Sequence, residues 1–409
     1  MSARQIGSVD ATDIVRARAA VCDVAHHTPV LASKALSERC DARVVLKAES
    51  LQRTGSFKLR GALSKLAALG AGCERGVVAG SAGNHAWALA DAARVRGVPC
   101  EVFMPSQAPL AKIEGCEELG AVVRLVGDSL ETCFAAATAR ANESGMAFVH
   151  PFDDADVIAG QGTVGLELLE DVQDLAKIIV PVGGGGLASG IAVAAKSARR
   201  DIEVVGVQAQ ACAPYAQSLR RGEPVGVASA LTIADGIAVK RPGTLTLALV
   251  ERWLDDVVAV GEDDIAEAMV LLMEHSKLVV EGAGAVGAAA LLAGLVAPAA
   301  RGTTVIVLSG GNVDAGLLAA VARRHETQVG RRLALFTRVS DRPGSLARLL
   351  TCVAAAGANL VEVEHVREGV DLHVRETAIQ LVLETRGRDH ARAVLAAIAR
   401  DGYAARVID

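Results

Sequence analysis

The sequence predicts an α/β protein built on mainly parallel twisted sheets, followed by a small ferredoxin-like unit. Three observations predict this. Between about Arg43 and Arg324, short apolar runs alternate with longer helical stretches. Those runs are apolar throughout rather than at every second residue, as strands covered on both faces must be. From Leu333 onward the pattern becomes strand, helix, strand, strand, helix, strand, a βαββαβ order.

In chain order, the apolar runs are Val44–Lys47, Val77–Gly80, Glu101–Met104, Val122–Val126, Ile178–Val182, Val204–Gln208 and Thr304–Leu308. Each combines β-branched residues with a flanking turn signal. Ala- and Leu-rich segments such as Ala86–Val95 and Leu187–Ala198 read as the intervening helices. The C-terminal unit reads as Leu333–Val339, helix Ser345–Ala356, Leu360–Arg367, Glu376–Glu384, helix Asp389–Asp401 and Ala404–Ile408. The expected division is a first domain over 1–325, with a smaller lobe near 52–150, a charged linker over 326–332 and a second domain over 333–409.

Composition narrows the function. With 409 residues, 51% hydrophobic and 22% charged, the chain can bury more than one core. A net charge of −5 and only 2% aromatics argue against a nucleic-acid partner. The eight cysteines are scattered without a C-x-x-C pair, which predicts small buried thiols, no zinc site and a reduced, cytoplasmic setting. No apolar N-terminal run marks a signal peptide. The uncharged stretch Gly282–Ala300 is near membrane-spanning length, yet it consists mostly of Ala and Gly and meets Pro298. A buried helix packed through its small residues is the expectation, with no membrane partner.

In doubly wound sheets, ligands sit where strand ends pass into helices. Four such places carry chemistry. Gly55-Ser56-Phe57-Lys58-Leu59-Arg60-Gly61-Ala62 puts a lysine in a first helical turn, with Ser56 as the expected cap. A cation there opposes the helix dipole, which favours the neutral amine that imine formation needs. Taken alone, it also reads as an ordinary surface lysine. Ser81-Ala82-Gly83-Asn84-His85 follows a strand and opens a helix, so its N–H groups can hold a carboxylate, or it is a plain cap with a satisfied histidine. Pro181-Val182-Gly183-Gly184-Gly185-Gly186-Leu187 has more glycine than a structural turn requires, and suits a phosphate. A dinucleotide site fits less well, because the next strand, ending at Gln208, carries no acid for a ribose. Ser309-Gly310-Gly311-Asn312 ends the last strand with a neutral hydroxyl, or with another helix cap.

Together, in this order, these segments resemble the fold-type II pyridoxal-phosphate enzymes, most closely the threonine/serine dehydratase branch. The resemblance implies that Lys58 carries pyridoxal 5′-phosphate as a Schiff base. Phe57 would pack near the ring, Asn84 would bond its 3′-oxygen and Gly183 to Leu187 would hold its phosphate. Ser309 would face the ring nitrogen, residues Ser81 to His85 would take the substrate carboxylate, and Gly236 and Glu281 would lie near the active site. The family usually has Gln where Trp87 stands. Related serine racemases have a second serine where Ala82 stands, so the resemblance favours elimination over racemisation. They also hold a divalent cation at positions matching Gln208, Cys212 and Pro214, so no metal is expected.

The segment Val339-Ser340-Asp341-Arg342-Pro343-Gly344-Ser345-Leu346, with Pro343 suited to a first helical position, makes the C-terminal unit look like an ACT domain. That resemblance implies an amino-acid effector near Asp341, Pro343, Gly344 and Asn359, and a homo-oligomer, a tetramer. A purely structural dimerisation module is the alternative. The implied activity is conversion of threonine, and also serine, to a 2-oxo acid and ammonia, in isoleucine biosynthesis or in threonine breakdown. The competing readings are a serine or 3-hydroxyaspartate dehydratase, or an amino-acid-sensing regulatory protein with a vestigial enzyme half.

Overall fold

The computed structural model describes residues 8–228, 231–367 and 372–408. It divides into two compact units, one ending at Val313 and the other starting at Asp314. In the first unit, ten strands form two sheets. They are β1 (Val30–Ala32), β2 (Val44–Ala48), β3 (Val77–Gly80), β4 (Cys100–Met104), β5 (Val122–Leu125), β6 (Ala147–Phe148), β7 (Leu175–Pro181), β8 (Glu203–Ala209), β9 (Asp256–Val260) and β10 (Thr303–Leu308).

The larger sheet has the order β1-β2-β10-β7-β8-β9, and the smaller has the order β5-β4-β3-β6. Every pairing is parallel except that of β1 with β2. The α/β class with mainly parallel sheets therefore holds. Strands β2, β4 and β10 are buried along their whole length, as their unbroken apolar runs require. Two of this unit's buried clusters flank these sheets. One lies under the smaller sheet around Leu59, Leu63, Leu89 and Met104, and the other lies against the larger sheet around Ile178, Leu187, Ile191 and Tyr215.

The stretch weighed as a membrane span contains the helix Gly282–Leu292, buried along ten residues. Its glycines permit backbone contact: a Cβ at Gly284 would sit 2.7 Å from the Gly310 carbonyl oxygen. Among the described residues, no helix is long and apolar enough to cross a membrane. All eight cysteines are free, and six of them are buried.

The second unit contains β11 (Arg332–Ser340), β12 (Asn359–Val366), β13 (Glu376–Glu384) and β14 (Ala405–Val407) in the order β12-β13-β11-β14, all antiparallel. Helices Ser345–Ala355 and Arg388–Arg400 complete the βαββαβ unit, with Leu335, Leu349, Leu381, Val394 and Ile398 in its core. Two expectations are corrected here. The charged stretch taken as a linker, 326–332, consists of the last residues of helix Ala315–Gln328, a turn and the first residue of β11, all within this second unit. Its Arg and Glu side chains are good helix formers, and Arg331 Nε bonds Glu326 Oε2 at 3.0 Å while Arg388 Nε bonds the Gln328 carbonyl at 2.9 Å. Pro343 is not a first helical position: it lies in a turn, and the helix starts at Ser345 after Gly344.

Candidate active site

Three neighbouring parallel strands, β2, β10 and β7, end side by side. The chain leaving β2 reaches Lys58, the chain leaving β10 starts at Ser309, and the chain leaving β7 is the glycine run Gly183 to Gly186. The first two are joined directly. Phe57 N–H donates to the Ser309 carbonyl at 3.1 Å and Gly311 N–H donates to the Gly55 carbonyl at 2.9 Å, with an isolated bridge between Ser56 and Gly310. The Asn84 loop follows β3 in the smaller sheet and is brought against the same residues.

Lys58 is the first residue of helix Lys58–Leu69. Its amine donates to the Pro151 carbonyl at 2.8 Å and lies 5.3 Å from the centre of the Phe57 ring. Burial drives its pKa down to about 8 from an ordinary 10.5, against the opposing charge of Glu281. Desolvation is thus the main cause of the lowered pKa, where the sequence pointed to the helix dipole. Ser56 does not cap this helix: among the described residues its buried hydroxyl has no partner, and the N-cap is Phe57. The helix is held instead by Arg60, which is fully buried. Arg60 Nε and Nη2 each bond Glu49 at 2.8 Å, and Nη1 bonds Glu167 at 2.6 Å and Thr163 at 3.2 Å. Lys47 joins the same network through Glu167 at 2.7 Å.

The glycine run is a cradle of donors. Among the described residues, the N–H groups of Gly183, Gly184, Gly185, Gly186, Leu187 and Ala188 have no hydrogen-bond acceptor, although all these residues are buried. Buried N–H groups are almost always paired, so such a run at a helix start fits a bound phosphate. Side chains are excluded here. A Cβ at Gly184 would run into the Phe152 ring, and one at Gly185, where φ is +93°, would run into the Tyr215 hydroxyl. Tyr215 in turn donates to the Gly184 carbonyl at 3.0 Å. Gln208, one of the positions weighed for a metal, accepts from the Tyr215 N–H at 3.1 Å and donates to the Val182 carbonyl at 3.3 Å.

Asn84 opens helix Asn84–Arg96 and donates through Nδ2 to Glu281 Oε1 at 2.8 Å. Its Oδ1 accepts from Asn312 Nδ2 at 2.8 Å. Burial and the nearby charge of Asp235 raise Glu281 to about 7, while Asn84 and Lys112 pull it back. A Cβ at Gly236 would lie 3.0 Å from Glu281 Oε1, so Gly236 leaves room for that carboxyl. His85 Nε2 faces the Val149 carbonyl at 3.0 Å, and burial with the nearby Lys58 charge lowers its pKa to about 3. It is a neutral, satisfied histidine. The N–H groups of Ala82, Asn84 and His85 have no acceptor among the described residues, whereas Gly83 N–H donates to Ser81 Oγ at 3.3 Å.

In the second unit, Asp341 forms a two-point pair with Arg367, at 2.9 and 3.2 Å, and Asn359 Nδ2 bonds Glu384 at 3.1 Å. The sheet register separates these two positions. Asn359 pairs with Glu384, which pairs with Arg332, at one end of β11, while Asp341 follows Ser340 at the other end. One copy therefore does not bring the four expected effector residues together.

The residues that sequence reasoning missed are Pro151 and Phe152, Glu49 and Glu167, Tyr215 and the role of Asn312. The motif Ser56 to Ala62 did contain Arg60, and an arginine two residues from the lysine, in a segment otherwise apolar and small, was the available signal for the ion network.

The model of the pyridoxal-phosphate dependent enzyme family matches residues 21–310. An L-threonine ammonia-lyase of Thermotoga maritima is 44% identical over 397 residues, covering 97% of this chain and 98% of that protein. Among solved structures, maize serine racemase superposes with a TM-score of 0.73 at 35% identity, covering 78% of this chain and 98% of that one. A threonine deaminase of T.th. superposes with a TM-score of 0.70 at 39% identity, covering 75% and 99%.

Proposed function

The chain belongs to the pyridoxal-phosphate-dependent enzyme family, and on that premise we propose that it removes the hydroxyl and amino groups of L-threonine, releasing 2-oxobutanoate and ammonia, and accepts L-serine as well. The observation that carries the reading is the placement of Lys58: its amine donates to the Pro151 carbonyl at 2.8 Å, the next residue, Phe152, lies against the glycine cradle, and burial lowers the amine's pKa to about 8, which suits a base close to neutral pH. The identity to the Thermotoga maritima ammonia-lyase over nearly the whole chain supports threonine as substrate.

The residues present suit the cofactor. Lys58 would hold it covalently, and the N–H groups of Gly183 to Leu187 would bind its phosphate. Phe57 would flank the ring, Asn84 would bond its 3′-oxygen, and Ser309 would offer a neutral hydroxyl to the ring nitrogen. Bound there, pyridoxal phosphate supplies an electron sink that acidifies the substrate Cα–H. The chain then has three tasks. N–H groups of the Ser81–His85 loop orient the substrate carboxylate at the start of a helix. Lys58 Nζ would take the substrate Cα proton. Ala82 presents a methyl group where a racemase would place a hydroxyl base, so proton return to the other face has no donor there and loss of the β-hydroxyl prevails.

The second unit is proposed as an ACT-type regulatory domain over 333–409, and the enzyme as a homotetramer. Because Asp341 and Asn359 lie at opposite ends of one sheet, an amino-acid effector touching both would have to bridge two copies. The intact enzyme, assayed against L-threonine, L-serine and 3-hydroxyaspartate with and without branched-chain amino acids, tests the whole reading. Ammonia release is expected to be fastest with threonine. A colourless protein that gains no activity with added pyridoxal phosphate overturns it.

A further inference from the structure

We infer that Asn312 is a positioning residue that fixes which end of the Asn84 side-chain amide faces the cofactor. The inference rests on the proposed contact between Asn84 and the cofactor ring, and it adds a residue that this reading did not contain.

The argument starts at a backbone carbonyl. The Thr54 carbonyl can only accept, and it lies 2.9 Å from one end of the Asn312 amide, so that end is the nitrogen. The same nitrogen is 2.8 Å from the Asn84 amide, which must therefore turn its oxygen towards Asn312. Asn84 then points its nitrogen at Glu281 Oε1, 2.8 Å away. With one hydrogen given to Glu281, the second hydrogen of Asn84 Nδ2 is left for a ligand acceptor. Glu281 alone could not set this direction. A carboxyl held near about 7 accepts when ionised and donates when protonated, so it tolerates either end of an amide. Asn312 removes the ambiguity. Room for it comes from Gly55, where φ is +72° and a Cβ would run into Asn312 Oδ1.

The test uses the full-length protein loaded with pyridoxal phosphate, and reads the position of the cofactor's visible band and its pH titration. Asn312→Asp is nearly isosteric but cannot donate. The double variant Asn312→Asp, Glu281→Gln reverses both partners, so that Asn84 can satisfy both bonds only with its amide turned around. Both are expected to displace the band and to move its titration midpoint by about one pH unit, a tenfold change in proton affinity. Glu281→Gln alone keeps an acceptor facing Asn84 and serves as the baseline: the double variant should displace the band and midpoint beyond whatever loss of the Glu281 charge does by itself. Where the added charge prevents folding, Asn312→Ala removes the anchor without a charge, and a displaced band is again expected. Wild-type band position and midpoint in every foldable Asn312 variant would overturn the inference while leaving the proposed function standing. A wild-type protein that takes up no cofactor overturns the function, and this inference with it.

Discussion

Lys112 Nζ and Asp235 Oδ2 stand 3.3 Å apart, joining the helix between β4 and β5 of the smaller sheet to the short helical turn Asp235–Ile237, between β8 and β9 of the larger one. Both charges act on Glu281, with opposite signs: Asp235 raises its pKa and Lys112 lowers it. The pair therefore makes two opposed predictions. Asp235→Asn should move Glu281 down from about 7, shifting the acid limb of the kcat/KM profile to lower pH, and Lys112→Met should shift it upward. The Asp235→Asn shift should stay below about one unit, because Asp235 is 60% exposed and its field is screened. pH–rate profiles of the two variants check this. Shifts in the same direction would separate Glu281 from the acid limb.

The depressed pKa of Lys58 makes a prediction for the cofactor-free protein. Only the neutral amine captures an aldehyde, so the rate of pyridoxal phosphate uptake should rise with pH to a midpoint near about 8 rather than 10.5. The stability consequence has a definite sign. Over the window between about 8 and 10.5 the unfolded chain holds the extra proton at Lys58, so the cofactor-free protein gains stability as pH rises through it. The gain is on the order of 3 kcal/mol at most. Stopped-flow absorbance and denaturant melts at several pH values measure the two effects. Lys58→Ala should abolish uptake, the pH-dependent gain and ammonia release together.

The glycine cradle predicts a loss of cofactor affinity that does not come from lost charge. Gly185→Ala places a Cβ against the Tyr215 hydroxyl at a backbone angle that L-residues rarely adopt. The loop must shift, and its N–H groups no longer converge. Cofactor binding should weaken at least tenfold, about 1.4 kcal/mol. Equilibrium dialysis measures this, with inorganic phosphate competition expected to weaken in parallel. Unchanged affinity would move the phosphate elsewhere.

Restoring a hydroxyl where serine racemases have one tests the reaction type. Ala82 is half-buried at the start of the Asn84 loop. Ala82→Ser should give slow formation of D-serine from L-serine, with the dehydratase activity still dominant. Chiral chromatography detects the product, and its absence at every pH between about 7 and 9, the range over which Lys58 titrates, would show that the Ala82 methyl group does not select elimination.

Long apolar runs made the parallel sheets legible, and the bounds read for Val77–Gly80 and Glu376–Glu384 match β3 and β13. Strands β1, β6 and β9 were not legible. The first two have three and two residues, too few to show a period, and β9 begins at an aspartate and is mostly half-exposed. At the site, Lys58 and the four glycines stood out because each motif is contiguous. The partners of Arg60 and Asn84 did not, since Glu167 is 107 positions from Arg60 and Asn312 is 228 positions from Asn84. Only the topology makes them neighbours: helix Lys58–Leu69 packs on helix Ala155–Asp171, which brings Arg60 to Glu167, and the loop after β3 meets the segment after β10, which brings Asn84 to Asn312.

Trp87, where the family usually has glutamine, shows what a departure from pattern can mean physically. Its indole Nε1 donates to the Lys112 carbonyl at 3.1 Å, and its ring lies against Gly115, where a Cβ would come within 3.0 Å. Tryptophan therefore ties helix Asn84–Arg96 to helix Leu110–Glu118, the helix that carries Lys112 towards Asp235. This is a packing role and not a sign of a lost active site. Trp87→Gln should cost about 1–3 kcal/mol, less than truncating a fully buried aromatic, because the ring is only partly covered. It should leave the cofactor band in place, since Asn84, Glu281 and Asn312 are untouched. The Lys112–Asp235 pair should loosen, so the acid limb should drift in the same direction as in Lys112→Met. Thermal melts, the visible spectrum and the pH–rate profile of one variant separate these outcomes, and a lost cofactor band would mean that the tether reaches the site itself.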